Sequence, residues 1–223
     1  MNCRRVAMSL IGVVITAISV AILKFSALGV DSFQTFMAGA DFLIPISFGT
    51  LYVIVNAVLL IFALVFDRHY IGISTFINLF LLGYIVEFTL NLLTSLFPTA
   101  SPPFRGFMFV AGFAFLCLGC PLYITADLGV STYDAIALIC SNKWKLCKFK
   151  YMRICTDLIC LFTGTAMFLL SGHSIRQIGS LMGIGTVLTA FCMGPLIDFF
   201  HRNISKPLLE KGKVKKSLIL NEQ

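Results

Sequence analysis

The sequence predicts an all-α polytopic membrane protein. Six transmembrane helices form two inverted three-helix repeats, each with a short extra amphipathic or re-entrant helix. Three observations predict this. Hydrophobic residues make up 58% of the 223 and charged residues 12%, where soluble domains carry ~25% charge, and the mean hydropathy is +0.95. Uncharged runs cover 6–23, 42–66, 71–86, 88–104, 106–126, 158–175 and 177–197, and a helix of ~20 apolar residues crosses a bilayer core. Finally, Leu28-Gly29-Val30-Asp31-Ser32-Phe33-Gln34 returns as Leu128-Gly129-Val130-Ser131-Thr132-Tyr133-Asp134. Arg5 and Gly12 match Arg105 and Gly112 at the same offset, while Gly72, Thr75, Gly83, Glu87 and Phe88 match Gly183, Thr186, Gly194, Asp198 and Phe199 at an offset of 111.

In chain order the spans are expected near 6–27, 47–66, 71–96, 105–126, 152–171 and 181–200. Arg4 and Arg5 before the first apolar run resemble a secretory signal. That run is longer than a signal core, however, and its repeat partner lies in mid-chain, so it reads as a retained span. Between the halves, Phe97-Pro98-Thr99-Ala100-Ser101-Pro102-Pro103 cannot continue a helix, because prolines lack the donor and clash with the preceding turn. Segments 31–43 and 131–141 are too short to span. Gly29 and Gly129 suit a left-handed helix end. Asp31 and Ser131 can cap a new helix, with Gln34 and Asp134 completing a capping box. The repeated motif therefore predicts a helix–turn–helix corner. One membrane domain over 1–200 is expected, with repeat 1 at about 5–97, repeat 2 at about 105–200, and a basic cytoplasmic tail at 201–223.

Three spans per half is an odd number, so the second half starts from the opposite membrane face, as in inverted-repeat transporters. Charge agrees. With the N-terminus in the cytoplasm, 14 of the 17 basic residues fall on that side, including Arg68, Lys143, Lys145, Lys148, Lys150 and Arg153. Lys24, Arg105 and Arg176 fall outside. This positive-inside bias puts both termini in the cytoplasm and explains the net charge of +7 without nucleic acid. Most of the eight cysteines lie in spans or on that side, which disfavours disulfides. Cys117-x-x-Cys120 is mid-membrane with no histidine nearby, and reads as core. His69, His173 and His201 have no companion at metal-ligand spacing, so no metal is expected.

A family resemblance rests on these residues. The corner Leu128-Gly129-Val130-Ser131-Thr132-Tyr133-Asp134-Ala135 resembles the LGVSPWD corner of the bacterial YczE/YyaS/YitT membrane proteins. Gly183-Ile184-Gly185-Thr186, followed by Gly194-Pro195-Leu196-Ile197-Asp198, resembles that family's last span. The likeness covers roughly 6–200. It departs at Thr132 and Tyr133, where the family often has proline and tryptophan, and further in the first half at Asp31-Ser32-Phe33-Gln34. The resemblance implies a multi-pass protein of the bacterial inner (plasma) membrane and no particular activity.

Charged groups within a span cost at least ~2.5–3.5 kcal/mol, so each needs a reason. Asp157 can pair with Arg153 one turn earlier, and its repeat partner is Asn56. Interhelical hydrogen bonding is the plainer role for this pair, and a solute or proton site the functional one. Glu87 and Asp198 sit near opposite exits and could guard two mouths of one pathway, or be carboxylates wetted by headgroup water. There is no nucleophile triad, phosphate loop or paired-histidine motif, so neither catalysis nor a cofactor is expected. The favoured function is permease-like transport of a small solute, through a polar cavity between the halves lined by Asn56, Glu87, Asp157 and Asp198 with the corner helices as gates. The alternatives are a solute-binding subunit of a larger transport complex, and a membrane regulator or assembly factor. The expected partners are the lipid bilayer and an unidentified solute. The small chain also leaves room for a homodimer.

Overall fold

The structure, a computed structural model, describes residues 3–172 and 183–210. Eight α-helices follow one another: α1 Cys3–Ser26, α2 Ser32–Leu43, α3 Phe48–Phe66, α4 Ile73–Leu96, α5 Pro102–Ala126, α6 Thr132–Leu138, α7 Phe149–Leu170 and α8 Ile184–Phe200. A π-helical turn, Ile139–Lys143, extends α6, and a short 3-10 turn, Arg68–Tyr70, links α3 to α4. Among the described residues, six helices are long and apolar enough to cross a membrane: α1, α3, α4, α5, α7 and α8. The protein is a multi-pass membrane protein. Helix boundaries fall within a few residues of the expected spans.

The last helix departs from expectation. Instead of ending at 200 it passes through a π turn, His201–Ser205, and stays helical to Glu210. Leu209 packs beside Met8, Leu122 and Ala126, and Arg4 donates to the Leu208 carbonyl. The first ten residues assigned to a tail are thus part of the bundle, because Leu208 and Leu209 give them an apolar anchor. The remainder of that tail, His173 and Arg176 lie outside the described residues.

Helices α1 and α5 form the central pair. A Cβ on Gly12 would touch the Tyr123 nitrogen at 2.8 Å and the Gly119 carbonyl at 3.0 Å. One on Gly112 would touch Ile22 at 2.9 Å and the Ser19 carbonyl at 3.3 Å. Residue numbers rise on one helix as they fall on the other, so the two run antiparallel. Small residues let their backbones approach closely, which drives association where lipid offers no hydrophobic advantage.

Both corners have the same construction. The left-handed residue that ends each helix is Ala27 (φ 54) or Asp127 (φ 58), two places before the glycine that was expected to take that role. Gly29 and Gly129 also have positive φ, at 144 and 104, and turn the chain into the next helix. Each corner then seats on the start of the other half's last span. Gly185 N–H donates to the Leu28 carbonyl at 3.0 Å, and Ser74 N–H donates to the Leu128 carbonyl at 3.0 Å. A Cβ on Gly183 would run into the Leu28 carbonyl, and one on Gly72 into the Leu128 carbonyl. The repeated glycine-led segments at 72–75 and 183–186 are therefore sockets for the repeated corners.

Candidate functional site

The two corner helices meet at their first turns. Phe33 stacks on Tyr133, with ring centroids 5.1 Å apart. Asp31 caps α2 by accepting from Gln34 N–H at 3.1 Å. Ser131 caps α6 by accepting from Asp134 N–H at 3.1 Å. Beside this junction lies a cavity of about 100 Å³, walled by α1, α3, α4, α5 and both corners. That volume accommodates a few water molecules or a solute of few heavy atoms. Its polar lining includes Asp31, Gln34, Asn56, Asn78, Asp134 and Arg153.

Arg153 is the hub. Its guanidinium is 4% exposed. It pairs with Asp134 across the α6–α7 turn, and its Nε lies 3.3 Å from Asp157 Oδ2 one turn along α7. It also lies over the Tyr133 ring at 4.4 Å, a cation–π geometry. Each carboxylate has further partners. Asp134 accepts from the Tyr123 hydroxyl and, at 2.7 Å, from Ser131. Asp157 accepts from the Tyr133 hydroxyl at 2.7 Å. Asn56 accepts from the Thr132 hydroxyl at 2.8 Å and so ties α3 to α6. Charges taken out of water survive when paired and hydrogen-bonded in this way.

These positions revise the expected site. Asn56 lines the cavity; Glu87 and Asp198 do not, and Asp157 stands behind Arg153. The motif residues Asp31, Gln34, Ser131 and Asp134, assigned only to capping, all face the cavity. Asp134 does not return to the cap nitrogen, because Arg153 and Tyr123 hold its carboxylate. Arg153 leaves the basic loop in which its charge was counted and is buried. Gly29 and Gly129 remain outside the lining and serve the sockets. The corners are held to their sockets by backbone hydrogen bonds and form cavity wall.

Two wider openings flank the cavity. One, of about 580 Å³, is lined by Lys24, Gly49, Gly83, Glu87 and others, and shares Gln34, Tyr52, Leu79 and Leu82 with the cavity. The other, of about 520 Å³, is lined by Lys145, Lys148, Lys150, Asp198 and Arg202 among others. Lys24, near the end of α1, lines the first, while the start of α7 and the end of α8 line the second. Arg202 holds Asp198 at 2.9 Å.

The two ends are packed differently. Helices α7 and α8 lie against each other, whereas α3 and α4 make at most glancing contact. A Cβ on Gly194 of α8 would run into the Lys150 carbonyl of α7. At the equivalent positions of α4 and α3, a Cβ on Gly83 or Gly49 would meet nothing within 4 Å. The cavity thus shares lining with the opening beside Glu87 and none with the opening beside Asp198, where α7 and α8 pack closely.

Comparison with known proteins gives the family. Residues 3–202 match the model of a family of unknown function, DUF6198. The chain belongs to that family. A DUF6198 assignment agrees with likeness to an uncharacterized membrane protein, YczE, of Bacillus subtilis (strain 168). The two are 24% identical over 193 residues, spanning 84% of this chain and 81% of that one. No solved structure matches the chain.

Sequence reasoning missed Asn78, Tyr52, Tyr123 and Tyr133 as site residues. For one of them a signal existed: Phe33 and Tyr133 are repeat partners, and partners near a symmetry axis meet. Tyr123 and Asn78 carry no such mark, since their place depends on how α5 and α4 rotate against the corners.

Proposed function

We propose that this DUF6198 protein is a permease-like carrier of a small solute, operating by alternating access. Its two three-span halves have opposite orientation in the plasma membrane, and both termini are cytoplasmic. The cavity at 31–34, 56, 78, 131–134 and 153 is the solute site, and the protein does no chemistry on the solute. One observation carries this reading: the polar cavity shares lining with one opening and none with the other, where Gly194 packs on Lys150 at positions whose counterparts in the first half meet nothing. The antiparallel α1–α5 pair and the reciprocal corner–socket bonds support the inverted arrangement.

Alternating access then has a structural form. Gly83 closes on Gly49 as Gly194 leaves Lys150, and the sealed end opens. Gating belongs to α3–α4 and α7–α8, with the corners as the fixed frame. Purified protein reconstituted into liposomes should take up its solute saturably, with no second protein present. Protein that binds solute in detergent yet never moves it across the liposome membrane is a receptor subunit and not a carrier.

A further inference from the structure

The cavity has an unbalanced charge. Asp31, Asp134 and Asp157 gather around a single guanidinium, that of Arg153. Arg153 stands within ion-pair distance of Asp134 and Asp157, while Asp31 forms no ion pair among the described residues and feels Arg153 and Lys24 only at longer range. Its carboxylate caps α2, accepting from Gln34 N–H, and faces the cavity. An uncompensated carboxylate is costly away from bulk water unless a cation joins it.

A second observation is independent of charge. Asn78 of α4 is 6% exposed, lines the same cavity, and its Nδ2 has no hydrogen-bond partner. Buried amides are normally satisfied, so an orphan aimed into a cavity marks where an absent group belongs. A third concerns the walls. Phe33 stacks on Tyr133 and lies edge-on to Tyr52 at 6.4 Å, so aromatic rings stand beside Asp31. Such rings favour an organic cation through their electron-rich faces.

Resting on the carrier reading for its site, we propose that the cavity binds a small organic ammonium ion bearing an oxygen acceptor, with the ammonium at Asp31 and the oxygen at Asn78. Size limits the ligand to few heavy atoms. An anion is disfavoured by the surplus carboxylate, and a neutral solute leaves Asp31 uncompensated.

Three probes of similar size and different charge test this: ethanolamine, ethylene glycol and glycolate. Binding to the full-length protein in detergent is read by thermal stabilisation. Ethanolamine should stabilise wild type, and the other two should not. Asp31→Asn keeps a cap of equal quality and removes the charge, so it should weaken ethanolamine binding at least tenfold without lowering the unfolding temperature in the probe's absence. Asp31→Ser, which copies the cap at Ser131, should behave alike. Asn78→Leu should weaken ethanolamine more than ethylamine, which has no oxygen. Equal stabilisation by ethylene glycol or glycolate, undiminished binding by both Asp31 variants, or no stabilisation by ethanolamine would overturn the assignment. The carrier reading fails separately: ethanolamine bound with wild-type behaviour in detergent but never transported keeps this site and removes the carrier.

Discussion

Arg153 is the residue whose loss should be felt most. Both of its carboxylate partners are buried, so truncating it leaves two like charges facing each other without a counter-ion. Breaking a buried pair from one side typically costs about 3–5 kcal/mol. Arg153→Met should therefore lower the unfolding temperature markedly, and the triple change with Asp134→Asn and Asp157→Asn should recover much of the loss. If the single variant unfolds like wild type, the pairing is not structural. Part of this network was legible beforehand. Asp157 and Arg153 stand four apart on a helix, a spacing that implies contact without any tertiary knowledge. Asp134 was not legible, because a cap explained it locally and its ion partner lies 19 residues away on another helix. Local patterns account for one partner of a side chain and are silent about the rest.

At the scale of elements, the corner sockets and the α3–α4 pair make opposite predictions. Gly183→Ala pushes a methyl into the Leu28 carbonyl and should destabilise by about 1–3 kcal/mol, as overpacking does. Gly83→Ala meets open space and should be neutral or stabilise by up to ~1 kcal/mol, since alanine favours helix over glycine. Thermal unfolding of the two variants checks both signs. Gly83→Leu is the functional counterpart: on the carrier reading it should leave stability intact while cutting liposome uptake at least tenfold, by blocking closure onto Gly49. Uptake unaffected by leucine there would mean that α3 and α4 do not close. Span limits were legible because hydropathy and length decide them. The sockets were not, since the small residues at 72–75 and 183–186 mark close packing without saying against what.

For the whole molecule, the decisive quantity is sidedness. In a cysteine-free background, Cys substituted at Glu87 should react with an impermeant maleimide from outside, and Cys at Lys148 only from the cytoplasm. Labelling of both from one face would remove the inverted arrangement. Composition and charge asymmetry were sufficient for span number and expected orientation. They carry nothing about which end is packed more tightly, because that depends on how the helices of each half approach one another. Gly83 and Gly194 are the same letter in the same motif, yet one faces space and the other a carbonyl.

The stacked rings of Phe33 and Tyr133 have an evolutionary consequence. If the halves descend from one shorter ancestor that paired with itself, this contact joined a residue to its own copy. Every substitution then struck both sides together, and an acid added to one wall was added to the other. Fusion into one chain ended that constraint. The present protein holds neutral Gln34, Tyr52 and Asn56 in one half where the other has Asp134, Arg153 and Asp157. Only Tyr133 of the ring pair carries the hydroxyl that anchors Asp157. A self-paired ancestor could not have concentrated its ion network on one side, and a joined pair could.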